Sequence, residues 1–122
     1  QRMEIYRRMV ACQEVEAVTQ LACDLADAYG ALPAEVQLLL DVTELRVRAA
    51  GTGVKSIELT PPDVVFGLRD AAAAAGLFEG ASGSVRLPDE QTVHWRPPAG
   101  YLQMPTLLRV LLNRFRQAVS AA

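Results

Sequence analysis

Apolar positions recur at helical spacing through residues 2–50 and in β-enriched, partly alternating runs between residues 54 and 95. Over residues 2–11, Ile5 and Met9 recur with Tyr6 beside them, while Arg2, Arg7 and Arg8 take the other side, which predicts a short amphipathic helix. Over residues 14–29, Val15, Val18, Leu21, Ala22, Leu25 and Tyr29 form an apolar stripe opposite Glu16, Gln20, Asp24 and Asp27. That stripe is expected to pack on the third helix. Residues 33–50 carry two apolar stripes, Val36-Leu39-Leu40-Thr43-Val47 and Leu38-Val42-Leu45-Ala49, so the third helix is expected to be the most buried element, with Leu39, Leu40 and Val42 deeply buried.

Gly51-Thr52-Gly53 stops this helix, and the β-enriched runs 54–59 and 64–66 follow, joined through Pro61-Pro62-Asp63. Residues 69–75 are alanine-rich, with Gly76 as a stop, and read as a short helix that can approach a sheet closely. The runs 85–87 and 93–95 flank the turn-rich Pro88-Asp89-Glu90-Gln91, a hairpin signal. Pro97, Pro98 and Gly100 break the chain before Pro105 opens a last helix that buries Leu108, Leu111, Leu112, Phe115 and Val119. The order of elements predicts an α+β fold, in which an N-terminal helical hairpin region packs with a small, largely antiparallel sheet and a C-terminal helix.

The corner between the second and third helices has specified chemistry. Gly30 suits the positive φ that closes a helix, and Leu32 supplies the apolar contact that folds back onto the last turn. Pro33 suits the first position of the next helix, and Glu35 lies in a first turn that favours negative charge. Asp24 and Asp27, by contrast, sit three residues apart in the last turns of the second helix, where the macrodipole disfavours them and each repels the other. Local rules are broken in this way at functional sites more than elsewhere. The plain reading is a solvated helix stripe, and the sharper one is a docking patch for a basic partner.

The run Asp24-Leu25-x-Asp27-x-Tyr29-Gly30-x-Leu32-Pro33-x-Glu35-Val36 resembles the acidic-Leu-x-Asp-Arg-Phe-Gly-x-Leu-Pro motif of the C-terminal domain of bacterial transcription-repair coupling factor. Arg2-Met3-Glu4-Ile5-Tyr6-Arg7-Arg8 looks like the helix that enters this domain from the translocase motor, and residues 45–59 look like its helix-to-strand exit. Ala28 departs from the family's usual Arg, and Asp24 from its usual Glu. The resemblance implies a cytoplasmic, autoinhibitory regulatory domain excised from a larger ATP-driven DNA translocase. Such a domain docks on the UvrB-like N-terminal module of the same protein, masks the surface that recruits UvrA and restrains the motor. RNA polymerase is then an indirect partner, and DNA is reached through the parent motor. The docking residues it nominates are Asp24, Asp27, Tyr29 and Gly30.

Composition adds few constraints. A chain of 122 residues with a net charge of −2 fits a single domain spanning 1–122 and shows no global attraction to nucleic acid or anionic membrane. No membrane partner is expected, since no apolar run reaches transmembrane length. The two cysteines, Cys12 and Cys23, lack the spacing of a metal or redox motif and read as free thiols, with a disulfide between neighbouring helices as the alternative. His94 is the single histidine and reads as structural. The glycine spacing matches no phosphate-binding loop, and no nucleophile has a base beside it, so the domain is expected to be non-catalytic and to carry no cofactor or metal. A second reading is a DNA-binding accessory module that uses Arg109, Arg114 and Arg116 on the last helix, where no acidic residue occurs after Thr106.

Overall fold

The computed structural model describes residues 2–74 and 76–121, the side chains of residue 104 and of residues 118–121 excepted. The α+β fold expected from the pattern is observed. Helices α1 (Arg2–Ala11), α2 (Val15–Tyr29) and α3 (Ala34–Gly51) are followed by strands β1 (Val54–Thr60) and β2 (Asp63–Leu68). A one-turn helix α4 (Ala71–Ala74), strands β3 (Ser84–Asp89) and β4 (Thr92–Arg96), a 3₁₀ turn (Ala99–Leu102) and helix α5 (Met104–Ala121) complete the order. The chain forms two compact units, residues 1–48 and 49–122.

In the first unit, Met9, Cys12, Val18, Leu21, Leu25, Leu40 and Val47 form one buried cluster, with Ile5, Val15, Ala22, Leu32 and Val36 packed against it. The apolar stripe of α2 from Val15 to Leu25 therefore meets α3 as its spacing predicts, whereas Tyr29, expected on the same stripe, is exposed. The expectation for α3 itself is only half right. Leu40, Thr43 and Val47 are buried, whereas Leu38, Leu39 and Val42 are exposed, Val42 to 48%. The pattern gives a helix its apolar stripes but does not supply a neighbour for each, and the cluster covers one side of α3 alone. Thr43 remains satisfied among apolar neighbours because its hydroxyl donates to the Leu39 carbonyl at 2.7 Å.

The end of α1 is fastened from a distance. Arg46 of α3 donates to the carbonyls of Met9 and Cys12 at 2.9 and 3.0 Å, filling acceptors that a helix C-terminus leaves open. Both cysteines are free thiols, Cys12 buried with Sγ donating to the Arg8 carbonyl and Cys23 exposed.

The second unit is a four-stranded antiparallel sheet in the order β1-β2-β4-β3. Side chains alternate across it, so Val64, Phe66 and Leu68 of β2 share one face with Val93 and Trp95 of β4, and all five are buried. Leu111 and Phe115 of α5 line the same small crevice as Phe66 and Trp95. Phe66 meets Phe78 edge-on at 4.8 Å between ring centroids. Of the residues expected on the buried face of α5, Leu108, Leu111, Leu112 and Phe115 are buried, while the Val119 side chain falls outside the described residues. The helix expected over 69–75 is confined to α4, with position 75 outside the described residues, and Asp70 accepts from the Ala73 amide at its start.

Candidate docking surface

The corner between α2 and α3 forms as its residues specify. Gly30 closes α2 with φ 79° and ψ −143°, and its amide donates to the Ala26 carbonyl at 2.8 Å. That backbone pair lies in a region that only glycine occupies readily, which is a stricter demand than the left-handed helical conformation expected. A Cβ there would meet nothing within 4 Å, so the requirement is one of backbone and not of space. Leu32 packs back against the core. Pro33 stands one place earlier than predicted, as the residue whose carbonyl accepts the first α3 hydrogen bond, from the Gln37 amide at 3.0 Å.

The nominated residues lie together in the first unit with different environments. Asp24 is partly exposed and already engaged, accepting from Arg8 Nη2 of α1 at 2.8 Å and from Gln20 Nε2 at 2.8 Å. These two hydrogen bonds, Arg8's first, hold its carboxyl below the ordinary carboxylate value of 3.8 against the opposing effect of desolvation. The dipole penalty that the sequence placed on Asp24 is thus offset by a cation from another helix. Asp27 is exposed and has no hydrogen-bond or ion-pair partner among the described residues. Tyr29, the last residue of α2, is 60% exposed and presents a large amphipathic ring.

Two open grooves flank α1 near this corner. One, of about 420 Å³, runs between α1 and α2 and is lined by Glu4, Ile5, Arg8, Asp24, Ala28 and Tyr29, with Leu21 and Leu25 at its base. The other, of about 620 Å³, is more apolar and is lined by Ile5, Tyr6, Tyr29, Leu32, Val36 and Leu39, among others.

The arginines of α5 stand in different environments. Arg114 donates through Nη1 to the Glu79 carbonyl at 2.6 Å, Arg116 also has a partner, and Arg109 is exposed. A second charged cluster escaped the sequence reading. Asp63, 8% exposed, accepts from Arg96 Nε at 2.8 Å and Arg86 Nη2 at 3.0 Å, with His94 Nδ1 3.7 Å away. Arg96 first, then Arg86, keeps the Asp63 carboxyl below the ordinary range, and Asp63 in turn raises Arg96. The alternation of His94 and Arg96 around Trp95 was the available signal, since period 2 places both on the face opposite the tryptophan. Among the described residues, no group of three or more His, Cys, Asp or Glu is arranged to hold a metal, and no helix is long and apolar enough to cross a membrane.

Fold and surface together define a small α+β module whose helical corner exposes charge, an aromatic ring and two open grooves. The TRCF domain family profile matches residues 1–76, and the chain belongs to that family. It is 29% identical over 105 residues to the transcription-repair-coupling factor of Myxococcus xanthus, covering 82% of this chain and 9% of that protein. The chain thus spans about a tenth of its curated relative's length. In fold it is similar to a crystal structure of the C-terminal domain of transcription-repair coupling factor, with a TM-score of 0.76 and 15% identity over 98% of this chain and 81% of the other.

Proposed function

We propose that this chain is the autoinhibitory docking domain of a cytoplasmic transcription-repair coupling factor. In this reading it binds the UvrB-like N-terminal module of the same protein, masks the surface that recruits UvrA and restrains a DNA translocase acting on stalled RNA polymerase. The domain contributes no chemistry and no cofactor of its own. The observation that carries the reading is Asp27, an exposed carboxylate without a partner among the described residues, in the last turn of a helix that Gly30 closes. An acidic side chain in that position is disfavoured by the helix dipole and does nothing for the fold, so a basic surface on a partner gives it a role.

The test is calorimetric titration of this domain with the separately produced UvrB-like module, alongside duplex DNA. Docking is expected to the module and to weaken roughly tenfold in Asp24→Asn/Asp27→Asn, with a flatter salt dependence. Unchanged affinity in the double variant returns these residues to a solvated stripe. The DNA reading is not favoured by the geometry of α5, where Arg114 is spent on a main-chain carbonyl. Tight DNA binding lost on replacing Arg109, Arg114 and Arg116 is the result that would reinstate it.

A further inference from the structure

We infer that the groove between α1 and α2 is a slot for a guanidinium group, and that Arg8, in its wall, holds the slot's Asp24 carboxylate in the free domain as an internal competitor of the docking partner. The inference rests on the docking reading for its biological setting and on the geometry of the first unit for its chemistry.

The lining of the groove suits an arginine side chain. Leu21, Leu25, Ile5 and Ala28 give an apolar base for the aliphatic stem, Glu4 and Asp24 offer carboxylates from facing helices, and Tyr29 offers an aromatic face at one end. Arg8 is the cation in that lining, and its Nη2 is 2.8 Å from Asp24 Oδ2. Nothing locks it there. Its side chain is 47% exposed, and Asp24 is the single carboxylate it is seen to bind, so it can leave to solvent at the small cost typical of an exposed pair. The Asp24 Oδ1 atom is held separately by Gln20, which keeps the carboxylate oriented when Arg8 departs. A partner arginine that takes Asp24 Oδ2 exchanges with Arg8, so its affinity is set by the difference between the two cations. Asp27, with no internal cation, is the carboxylate that docking engages without such an exchange.

Two arms separate this proposal from the docking reading. In the first, N-acetyl-arginine amide is titrated into the 122-residue chain and followed by the amide signals of Leu21, Leu25, Ala28 and Tyr29. Arg8→Gln is expected to bind the probe about two- to fivefold more tightly than the parent, Arg8→Lys to sit between them, and Arg8→Gln/Asp24→Asn to lose the gain. In the second, the same variants are titrated with the UvrB-like module, where Arg8→Gln is expected to dock more tightly by a similar factor. A probe affinity unchanged by Arg8→Gln in a chain with parental circular dichroism overturns the slot, whatever the module does. Tighter probe binding without tighter docking overturns the competition while leaving the docking reading to Asp27→Asn.

Discussion

In the sheet unit, the charges nearest the fold are consumed by it. Asp63 is enclosed by Arg86 and Arg96 and sits beside His94, and Arg114 is tied to a main-chain carbonyl. In the helical unit, Arg46 is likewise tied to main-chain carbonyls, but the charges at the end of α2 remain available. Asp27 has no partner among the described residues, and the Arg8–Asp24 pair lies half in solvent where either member can be exchanged. The apolar groups follow a similar division, although Leu59 and Leu87 on the outer strands of the sheet are exposed. The sheet closes over Phe66, Val93, Trp95 and Phe115, whereas the helices leave Tyr29, Leu38, Leu39 and Val42 exposed. Side chains that complete a fold are poor candidates for recognition, because moving them costs the fold. Those left at the helical corner are free to bind.

The sharpest way to break this comparison is to delete buried side chains from each unit and read the units separately. Phe115 is 0% exposed, and Phe115→Ala is expected to cost about 3–5 kcal/mol, lowering the denaturation midpoint reported by the fluorescence of Trp95, the one tryptophan. In the helical unit, Leu40→Ala is expected to cost about 2–5 kcal/mol by far-ultraviolet circular dichroism, and Leu39→Ala less than about 1 kcal/mol. Equal losses at Leu39 and Leu40 would mean that the exposed side of α3 that bears Leu39 is covered after all.

A smaller effect probes whether the sheet unit's charges are structural. Asp63 holds its carboxyl at a lower pKa in the folded chain than when unfolded, so the stabilisation is complete above the unfolded value of 3.8 and is lost as pH falls through the lowered folded value. Asp63→Asn is therefore expected to melt at a lower temperature than the parent at neutral pH, with the gap closing in acid below that value. A gap that stays constant into acid would assign the loss to packing and not to charge.

Much of this organisation is legible in the sequence, and what is not has a common cause. Helix boundaries followed from apolar spacing and from Gly30 and Pro33, because those signals are local to the chain. The hairpin of β3 and β4 followed from alternation around Pro88-Asp89-Glu90-Gln91. The partners of Asp24, Asp63 and the α1 carbonyls did not, since Arg8, Arg96 and Arg46 lie 16, 33 and 34 to 37 residues away. The burial of α3 was overread for the same reason. Two apolar stripes are a property of one helix, but a covered stripe is a property of its neighbours. At the candidate site, the acidic residues were visible in sequence as violations of the dipole rule, and their inequality was not.

That inequality gives the smallest expected effect and the finest test of the comparison. Asp27 opposes the α2 dipole with no compensating cation among the described residues, so Asp27→Asn is expected to stabilise the helical unit by about 0.3–1 kcal/mol. Asp24 occupies the same disfavoured end of the helix but holds Arg8 and Gln20, and its carboxyl is kept below 3.8 by them. Its stabilisation is present above that value and lost as pH falls through the lowered folded pKa, so Asp24→Asn is expected to melt slightly below the parent at neutral pH and level with it in acid. Melting curves for the two single variants at neutral and acid pH decide the matter. Opposite signs at neutral pH mark Asp27 as the residue kept for something other than the fold, whereas a gain in both would show that Arg8 gives Asp24 no net support and that the two carboxylates form one solvated stripe.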